Sequence, residues 1–384
     1  MTRTVTGGDA PEGGRPERLL AIDDGHSETK CAWLDPDGGA LRVSSFPSRT
    51  IRGYEELDPS GRGAPNVYAT YDEERPSDAG SYEMMMVVPR GRLSADKGEN
   101  RTQDYPTSDR NRVLVHHAMH TLEAGAVDFA IGTTLPHSDW HGPGGRRNDA
   151  LIAAKKRNVR KAVHAFDRDE LRPVPAAHRV ADHSVYSEGT AAFFDAVLEF
   201  APEGGGVRVN EAFAERFAAV NAFLVVDIGG KTTDLVYGSW SGDIADPPMI
   251  NVAMSQSLDV GALGAADQLE HEIRKAFDVR GVVDREAALF AREVPIFGKR
   301  RDVGALCDAA GRKLFDRVRE AVRLHAGDGS HLAYVVFVGG GTELLRGHIL
   351  EMFNPDLVHI PDEPRFANAR GMLKMMEAER GGAG

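Results

Sequence analysis

The sequence predicts an α/β fold built from two related halves, and three observations lead to this prediction. Apolar runs typical of buried strands alternate with segments of helical periodicity along most of the chain. Residues 20–33 align without gaps on residues 224–237, so the chain contains an internal repeat. Its 384 residues are enough for two domains of ordinary size.

The composition is that of a globular protein, with 41% hydrophobic and 27% charged residues. The formal net charge of −12 disfavours broad, direct contact with nucleic acid, because phosphate backbones are also negative. The only cysteines, Cys31 and Cys307, argue against a disulfide framework and fit a reducing compartment. Residues 1–18 are rich in glycine, proline and charge and are predicted to be a disordered leader, not a signal peptide. Since no apolar run approaches the ~18 residues of a membrane span, we expect a cytoplasmic protein without membrane contact.

The first half begins with two short strands on either side of a turn, and a polar region rich in proline and glycine follows them. The predicted elements of this half are strands at 18–22, 29–34 and 127–131, helices at 113–124, 148–165 and 180–200, and a β-rich insertion at about 50–110. A glycine-rich linker at 201–210 is the best candidate for a domain boundary.

The second half repeats the opening pair of strands and then continues with longer helices. The predicted elements are strands at 223–228, 233–237 and 332–338, and helices at 260–276, 306–322, 341–350 and 366–379. The helix at 306–322 is amphipathic, because its apolar residues recur every four positions.

The repeated segment is the feature that points to chemistry. The alignment places Asp23 on Asp227 and Gly25 on Gly229, so each half opens with strand, Asp-x-Gly turn and strand. A glycine turn presents backbone N–H groups to an anion, and a carboxylate beside it is compatible with phosphate when a hard cation such as Mg²⁺ lies between. Two facing hairpins would hold a polyphosphate across a cleft, whereas a single Asp-x-Gly would be an ordinary turn. A P-loop is excluded, since Val225 occupies a position where that motif requires glycine.

Five motifs in order along residues 18–380 resemble those of the actin-like ATPase superfamily, and the sequence is most similar to the plasmid-segregation actins ParM/StbA. They are two phosphate motifs at 23–30 and 227–234, an adenosine motif at 338–345, and two connecting-helix segments at 187–192 and 368–373. The similarity to ParM rests on three further segments, 115–118, 128–136 and 155–161. The resemblance implies an actin-like (ribonuclease H-like) fold with two related α/β domains around a nucleotide cleft. Domain I would comprise residues 19–200 together with the C-terminal helix 366–380, and domain II residues 221–365.

The resemblance also implies ATP and Mg²⁺ as cofactors and assigns roles to individual residues. Asp23 and Asp227, which the hairpin argument selects independently, would hold Mg²⁺ through water. Lys30 would reach the β- and γ-phosphates, with a solvent-facing lysine as the alternative. Glu188 resembles the catalytic carboxylate that orients the attacking water, although the spacing also allows Asp182.

The remaining candidate positions surround the nucleotide. The candidates for the phosphates are Asp24, Gly25, Ser27, Gly229, Gly230 and Thr232. Those for adenine or ribose are Gly339, Gly340 and Gly341. Glu343 is a further candidate, with a favourable charge at a helix N-terminus as the preferred interpretation. His116 and His120 have a possible zinc spacing, with packing as the favoured interpretation. The basic run 155–161 would be a solvated helix face or a contact with the next subunit.

These features predict an ATPase that polymerises with Mg-ATP and segregates plasmid DNA through a DNA-binding adaptor, without touching DNA itself. Head-to-tail self-association would give open filaments. A metabolite kinase of the same superfamily and a filament-forming actin homologue with another cargo remain the alternatives. A chaperone-like ATPase is disfavoured, because only about ten residues follow Leu373.

Overall fold

The structure is a computed structural model that describes residues 17–37, 39–52, 66–71, 82–87, 102, 104–122, 126–167, 172–201, 206–281 and 284–381. The predicted leader lies outside the described residues as far as position 16. Its last two residues, Glu17 and Arg18, already belong to the first strand, where Arg18 pairs with Phe129.

Twelve strands and five helices are described in the first half. The strands are β1 Glu17–Asp24, β2 Glu28–Leu34, β3 Leu41–Pro47, β4 Thr50–Arg52, β5 Asn66–Tyr71, β6 Tyr82–Val87, β7 Asp128–Leu135, β8 Val163–Asp167, β9 Arg172–Pro175, β10 Arg179–Ser187, β11 Leu198–Phe200 and β12 Val207–Val209. The helices are α1 Asp109–Leu122, α2 His137–Trp140, α3 Asp149–Arg160, α4 Thr190–Val197 and α5 Glu211–Ala219.

Eight strands and five helices are described in the second half. The strands are β13 Ala222–Ile228, β14 Thr233–Ser239, β15 Met249–Ile250, β16 Gln256–Leu258, β17 Glu293–Ile296, β18 Lys299–Asp302, β19 Tyr334–Val338 and β20 Val358–His359. The helices are α6 Ala262–Phe277, α7 Arg285–Ala291, α8 Gly304–Ala326, α9 Gly340–Ile349 and α10 Ala367–Gly381.

The internal repeat of the sequence becomes a repeat of sheet topology. The first central sheet has the order β10-β7-β1-β2-β3, and the second has the order β20-β19-β13-β14 with β15 and β16 on the far side of β14. In each sheet an antiparallel hairpin is followed by a strand that pairs in parallel with its first strand. The registers also correspond, because Asp23 faces Lys30 and Asp227 faces Asp234. The predicted fold of two related α/β halves is therefore confirmed.

The packing of the helices brings the ends of the two sheets together. The second sheet buries its apolar face against α6 and α8, where Leu269 and Phe315 are fully enclosed. Helix α10, from the end of the chain, returns to the first half and packs against α4 and the first sheet through Met372 and Leu373. The hairpin loops of both halves consequently face one space.

Strands are expected within the insertion at 50–110, and the described part of it contains β4, β5 and β6. They join β8 and β9 in a separate sheet of order β4-β6-β5-β8-β9. Residues 53–65, 72–81, 88–101 and 103 lie outside the described residues. The helices predicted near α1, α6, α8, α9 and α10 are confirmed, with ends shifted by a few residues.

Two predicted helices are wrong in extent. The helix expected at 148–165 ends at Arg160, and strand β8 begins at Val163. The helix expected at 180–200 is strand β10 followed by the short helix α4, because residues 179–187 complete the first sheet beside β7. Gly189, with a φ of +72°, separates the strand from the helix. The linker predicted at 201–210 contains β12, which pairs with β11, and residues 202–205 lie outside the described residues. None of the described helices is long and apolar enough to cross a membrane.

Candidate functional site

A cavity of about 360 Å³ lies between the two hairpins and is lined by residues of both halves. It brings together every predicted catalytic and cofactor-binding residue except Asp24. Those residues are Asp23, Gly25, Ser27, Lys30, Glu188, Asp227, Gly229, Gly230, Thr232, Gly339, Gly340, Gly341 and Glu343.

The first hairpin supplies a carboxylate and a cation that pair with each other. Asp23 is the penultimate residue of strand β1, is almost fully buried and lies 3.1 Å from Lys30 Nζ on the neighbouring strand. Thr134 Oγ1 donates a hydrogen bond of 3.1 Å to the other oxygen of Asp23. Burial alone would lower the pKa of Lys30, but the negative charges of Asp23 and Glu28 outweigh this effect and raise it. Lys30 is therefore a charged lysine inside the cavity, not a solvent-facing one.

The second hairpin is held by the helices that surround it. Asn368, on α10, donates a hydrogen bond of 2.6 Å from Nδ2 to Asp227 Oδ2. Burial raises the pKa of Asp227 to about 6, although this hydrogen bond works in the opposite direction. The first N–H groups of α6, at Ala262 and Leu263, donate to the carbonyl oxygens of Gly229 and Gly230. The loop is fixed by backbone contacts, so its position follows from the packing of α6.

The two hairpin loops touch each other across the cavity. A Cβ atom built on Gly230 would lie only 2.6 Å from Ser27 Cβ, so no larger residue fits there without displacement. Ser27 Oγ also donates a hydrogen bond of 2.7 Å to Glu286, and Arg49 lies 3.0 Å from the same carboxylate. Polar contacts thus join the two halves beside the cavity.

Glu188 directly follows strand β10 and lines the cavity. Its own N–H donates to the carbonyl oxygen of Leu135, and the next N–H, of Gly189, donates to Asn368 Oδ1 over 3.1 Å. Burial is the main cause that raises the pKa of Glu188 well above its usual value. The negative charges of Asp23, Asp234 and Asp227 act in the same direction. The alternative, Asp182, lies exposed in the same strand and does not line the cavity.

The three glycines after β19 form a wall of bare backbone. Gly339 has a φ of +85°, and a Cβ atom there would lie 2.4 Å from Ile228 O and 2.5 Å from Asp227 Oδ1. Only glycine combines this conformation with such a close approach. The apolar side chains of Leu263 and Phe290 line the same cavity, so its boundary includes an apolar part next to polar backbone. Such a combination suits a flat heteroaromatic ring.

Asp24 points away from the cavity, so its predicted contact with phosphates is corrected. Its carboxylate is buried and binds Lys155 Nζ at 2.6 Å, with further hydrogen bonds from Asn111 and from the N–H of Thr134. Burial alone would raise the pKa of Asp24, but Lys155 and the hydrogen bonds hold it below the usual value. The sequence suggested that Lys155 belongs to a solvated basic face. The structure instead places it in a buried ion pair.

Several residues that line the cavity have no role predicted from the sequence, and three of them make the cavity what it is. Asn368 lies within a connecting-helix motif, but only the fold shows that it binds both Asp227 and the backbone beside Glu188. Lys231 belongs to the segment that fails as a P-loop, and it lines the cavity. Glu286 approaches from α7, which has no sequence signal linking it to the first hairpin.

Of the two histidines of helix α1, His116 is packed inside the fold and His120 is exposed. His116 Nε2 lies 2.9 Å from the carbonyl oxygen of Val159, and burial lowers the pKa of His116 to about 3. Among the described residues, no group of three or more histidine, cysteine, aspartate or glutamate side chains is arranged to hold a metal ion. The burial of His116 and its contact with Val159 therefore support the packing interpretation for this residue.

Comparisons with known sequence families match different families in the two halves of the chain. Residues 90–196 match the family described as plasmid segregation protein ParM, N-terminal, and residues 225–351 match archaeal actin homologue MreB-like, C-terminal. No curated protein sequence matches the chain.

Solved structures align with nearly the whole chain. Ta0583, an archaeal actin homolog, has 20% identity and a TM-score of 0.66, with 94% of this chain and 99% of the other covered. Its complex with ADP has the same identity and coverage and a TM-score of 0.65. A 15-stranded ParM filament from Clostridium botulinum has 18% identity and a TM-score of 0.69, covering 96% of this chain and all of the other.

The aligned solved structures place the protein in the class of chains with an actin-like fold. Within this class, its first half resembles ParM and its second half resembles the archaeal MreB-like actin homologues. The resemblance predicted from the sequence is thereby confirmed.

Proposed function

We propose that the protein binds Mg-ATP in the cavity, hydrolyses it and assembles into filaments that move plasmid DNA through an adaptor. The observation that carries this proposal is the meeting of Asp23, Asp227 and Glu188 in one cavity between two equivalent hairpins. Each carboxylate lies at a strand end, and the loops beside the two aspartates expose glycine backbone to the same space.

The charge of the cavity supports Mg-ATP as its ligand. Seven carboxylates line it, against three lysine or arginine side chains, so a bare polyphosphate would be repelled. Mg²⁺ keeps several waters and needs only one or two carboxylates together with phosphate oxygens, and Asp23 and Asp227 would provide these carboxylates. When bound, the ion would neutralise phosphate charge and help to orient the terminal phosphate.

Other residues of the cavity would bind the phosphates, orient a water molecule and position the carboxylates. Lys30, held charged by Asp23, would bind phosphate oxygens as a point charge. Glu188 would accept a hydrogen bond from a water and orient it, and its raised pKa suits a group that accepts a proton. Asn368 would keep Asp227 and the backbone beside Glu188 at a fixed separation.

The net charge of the chain and the proteins that it resembles support the proposed assembly and cargo. One of the structural neighbours is a ParM filament, and the first half of this chain resembles ParM. The net charge of −12 favours an adaptor as the component that touches DNA. Contacts between different surfaces of successive copies would give open filaments, and closure of the cleft would couple them to the nucleotide.

Sedimentation of the purified protein with and without Mg-ATP tests the proposal. We expect pelleting and light scattering that depend on Mg-ATP, with scattering that decays as nucleotide is consumed. The Asp23→Ala variant should show neither pelleting nor scattering with Mg-ATP. The substitution removes a carboxylate proposed to hold Mg²⁺ and the ion-pair partner of Lys30. A protein that binds Mg-ATP but stays monomeric at high concentration would point to the kinase alternative.

A further inference from the structure

The hairpin formed by β17 and β18 carries an aromatic side chain that the fold does not use. The strands are joined by two residues, Phe297 and Gly298, with φ values of +50° and +73°. Two consecutive left-handed residues define a type I′ turn, which strongly favours Asn-Gly or Asp-Gly. A bulky aromatic residue is unfavourable in this conformation, and yet the Phe297 side chain is 85% exposed. Neither the left-handed backbone at Phe297 nor its exposed ring stabilises the isolated chain.

The hairpin is anchored, so its tip is held in a defined place. Val294 and Ile296 alternate along β17 and are both buried in the core of the second half. Val303, directly after β18, is buried in the same core. A rigid element that ends in an exposed aromatic ring loses little conformational entropy on binding, which is typical of interface anchors.

The charges around the ring indicate the nature of its partner. Residues 299–301 are Lys-Arg-Arg and are exposed, and only Arg300 has an ion pair among the described residues, with Glu293 at 3.1 Å. The chain as a whole has 58 acidic and 46 basic side chains. A basic hairpin with an aromatic tip is therefore complementary to the prevailing surface charge of its own chain.

We propose that Phe297, with Lys299 and Arg301, forms a contact by which one copy of this chain binds an acidic, partly apolar surface on a second copy. Two such tips would bring like positive charges together, so the tip is expected to bind a different, acidic surface of the second copy. The contact is thus heterologous, which is the kind that generates open filaments. This inference rests on the filament assembly proposed above and specifies a surface that takes part in it.

The test compares two substitutions that suit their local backbone. Phe297→Asn places the preferred residue in the type I′ turn, so the monomer should be at least as stable as the wild type. Leu324→Gln is the control, because Leu324 on α8 is 81% exposed and glutamine is well accepted in helices. We expect Phe297→Asn to raise the protein concentration needed for pelleting with Mg-ATP at least tenfold, while Leu324→Gln changes it less than twofold. Equal pelleting of the two variants would overturn the inference and leave the proposed function intact.

A photoreactive p-benzoylphenylalanine at position 297 separates this inference from the proposed function. Cross-linking between two copies supports the contact even if the wild type does not pellet with Mg-ATP, in which case only filament assembly is rejected. If position 297 forms no cross-link to a second copy, the inference is wrong. Co-sedimentation of the wild type with anionic phospholipid vesicles, lost in Phe297→Asn, would also overturn it, since the tip would then be a membrane contact.

Discussion

Replacing Lys155 by methionine should strongly destabilise the protein, although this residue lies outside the candidate site. Lys155 Nζ lies 2.6 Å from Asp24 Oδ2 and donates a second hydrogen bond to the carbonyl oxygen of Thr134. The Lys155 and Asp24 side chains are 2% and 1% exposed. Methionine keeps most of the apolar stem and removes the charge, so the substitution isolates the electrostatic contribution.

The expected magnitude follows from the burial of both charges. Removing one partner of a buried ion pair costs about 3–5 kcal/mol of the free energy of unfolding, because the other charge remains buried without compensation. Asn111 and the N–H of Thr134 still bind Asp24 and should keep the loss within this range. Domains have a total stability of roughly 5–15 kcal/mol, so the variant would retain a small margin.

Urea unfolding followed by circular dichroism measures the loss, with Arg157→Met on the exposed side of the same helix as the control. The control should change the free energy of unfolding by less than about 0.5 kcal/mol. Adding Asp24→Asn to Lys155→Met should recover part of the loss, with a coupling energy of about 2–3 kcal/mol. If Lys155→Met costs less than about 1 kcal/mol, or if the double variant is the sum of the single ones, the buried pair does not have the role described.

Three further variants test the geometry around the cavity and the buried histidines. Gly339→Ala should lower nucleotide affinity and cost about 1–3 kcal/mol of stability because of its positive φ, whereas Gly340→Ala, where a Cβ meets nothing within 4 Å, should be nearly neutral in urea unfolding and nucleotide titrations. Asn368→Ala should reduce the rate of phosphate release more than it reduces nucleotide affinity, because it frees Asp227 and the backbone beside Glu188; equal losses in both would contradict this. Burial lowers the pKa of His183 to about 3, so its contribution to stability is present above its unfolded pKa of about 6.5 and is lost as pH falls, by at most about 1.4 kcal/mol per pH unit. His183→Gln should therefore reduce the slope of stability against pH between about 6.5 and 4, and an unchanged slope would show that His183 does not stay neutral in the folded chain.

The repeated hairpins could be predicted from the sequence because their information is local. Apolar strands on both sides of Asp-x-Gly specify a hairpin, and the gapless alignment places Asp23 and Asp227 at equivalent registers. The glycine run after β19 is recognisable for the same reason. Thirteen of the fourteen candidate site residues consequently line one cavity.

The features that sequence reasoning misses depend on contacts between distant segments. Asp24 is adjacent to Asp23 and looks equally suited to phosphate, but successive side chains of a strand point to opposite faces. Its partner, Lys155, lies 131 positions away within a run that looks like a solvated face. Residues 180–187 resemble a helix because their small and aromatic residues do not alternate clearly, whereas pairing with β7 decides their conformation.

Simultaneous recording of light scattering and phosphate release for the wild type and Glu188→Gln tests the central claim most directly. The substitution keeps the shape of the side chain and removes its ability to accept a proton, so nucleotide binding and assembly should persist while hydrolysis becomes very slow. We expect scattering of the wild type to rise and then decay after phosphate release, and scattering of Glu188→Gln to rise and persist with almost no phosphate released. Phosphate release by Glu188→Gln at the wild-type rate would contradict the proposed mechanism, since the Glu188 carboxylate would then not take part in hydrolysis.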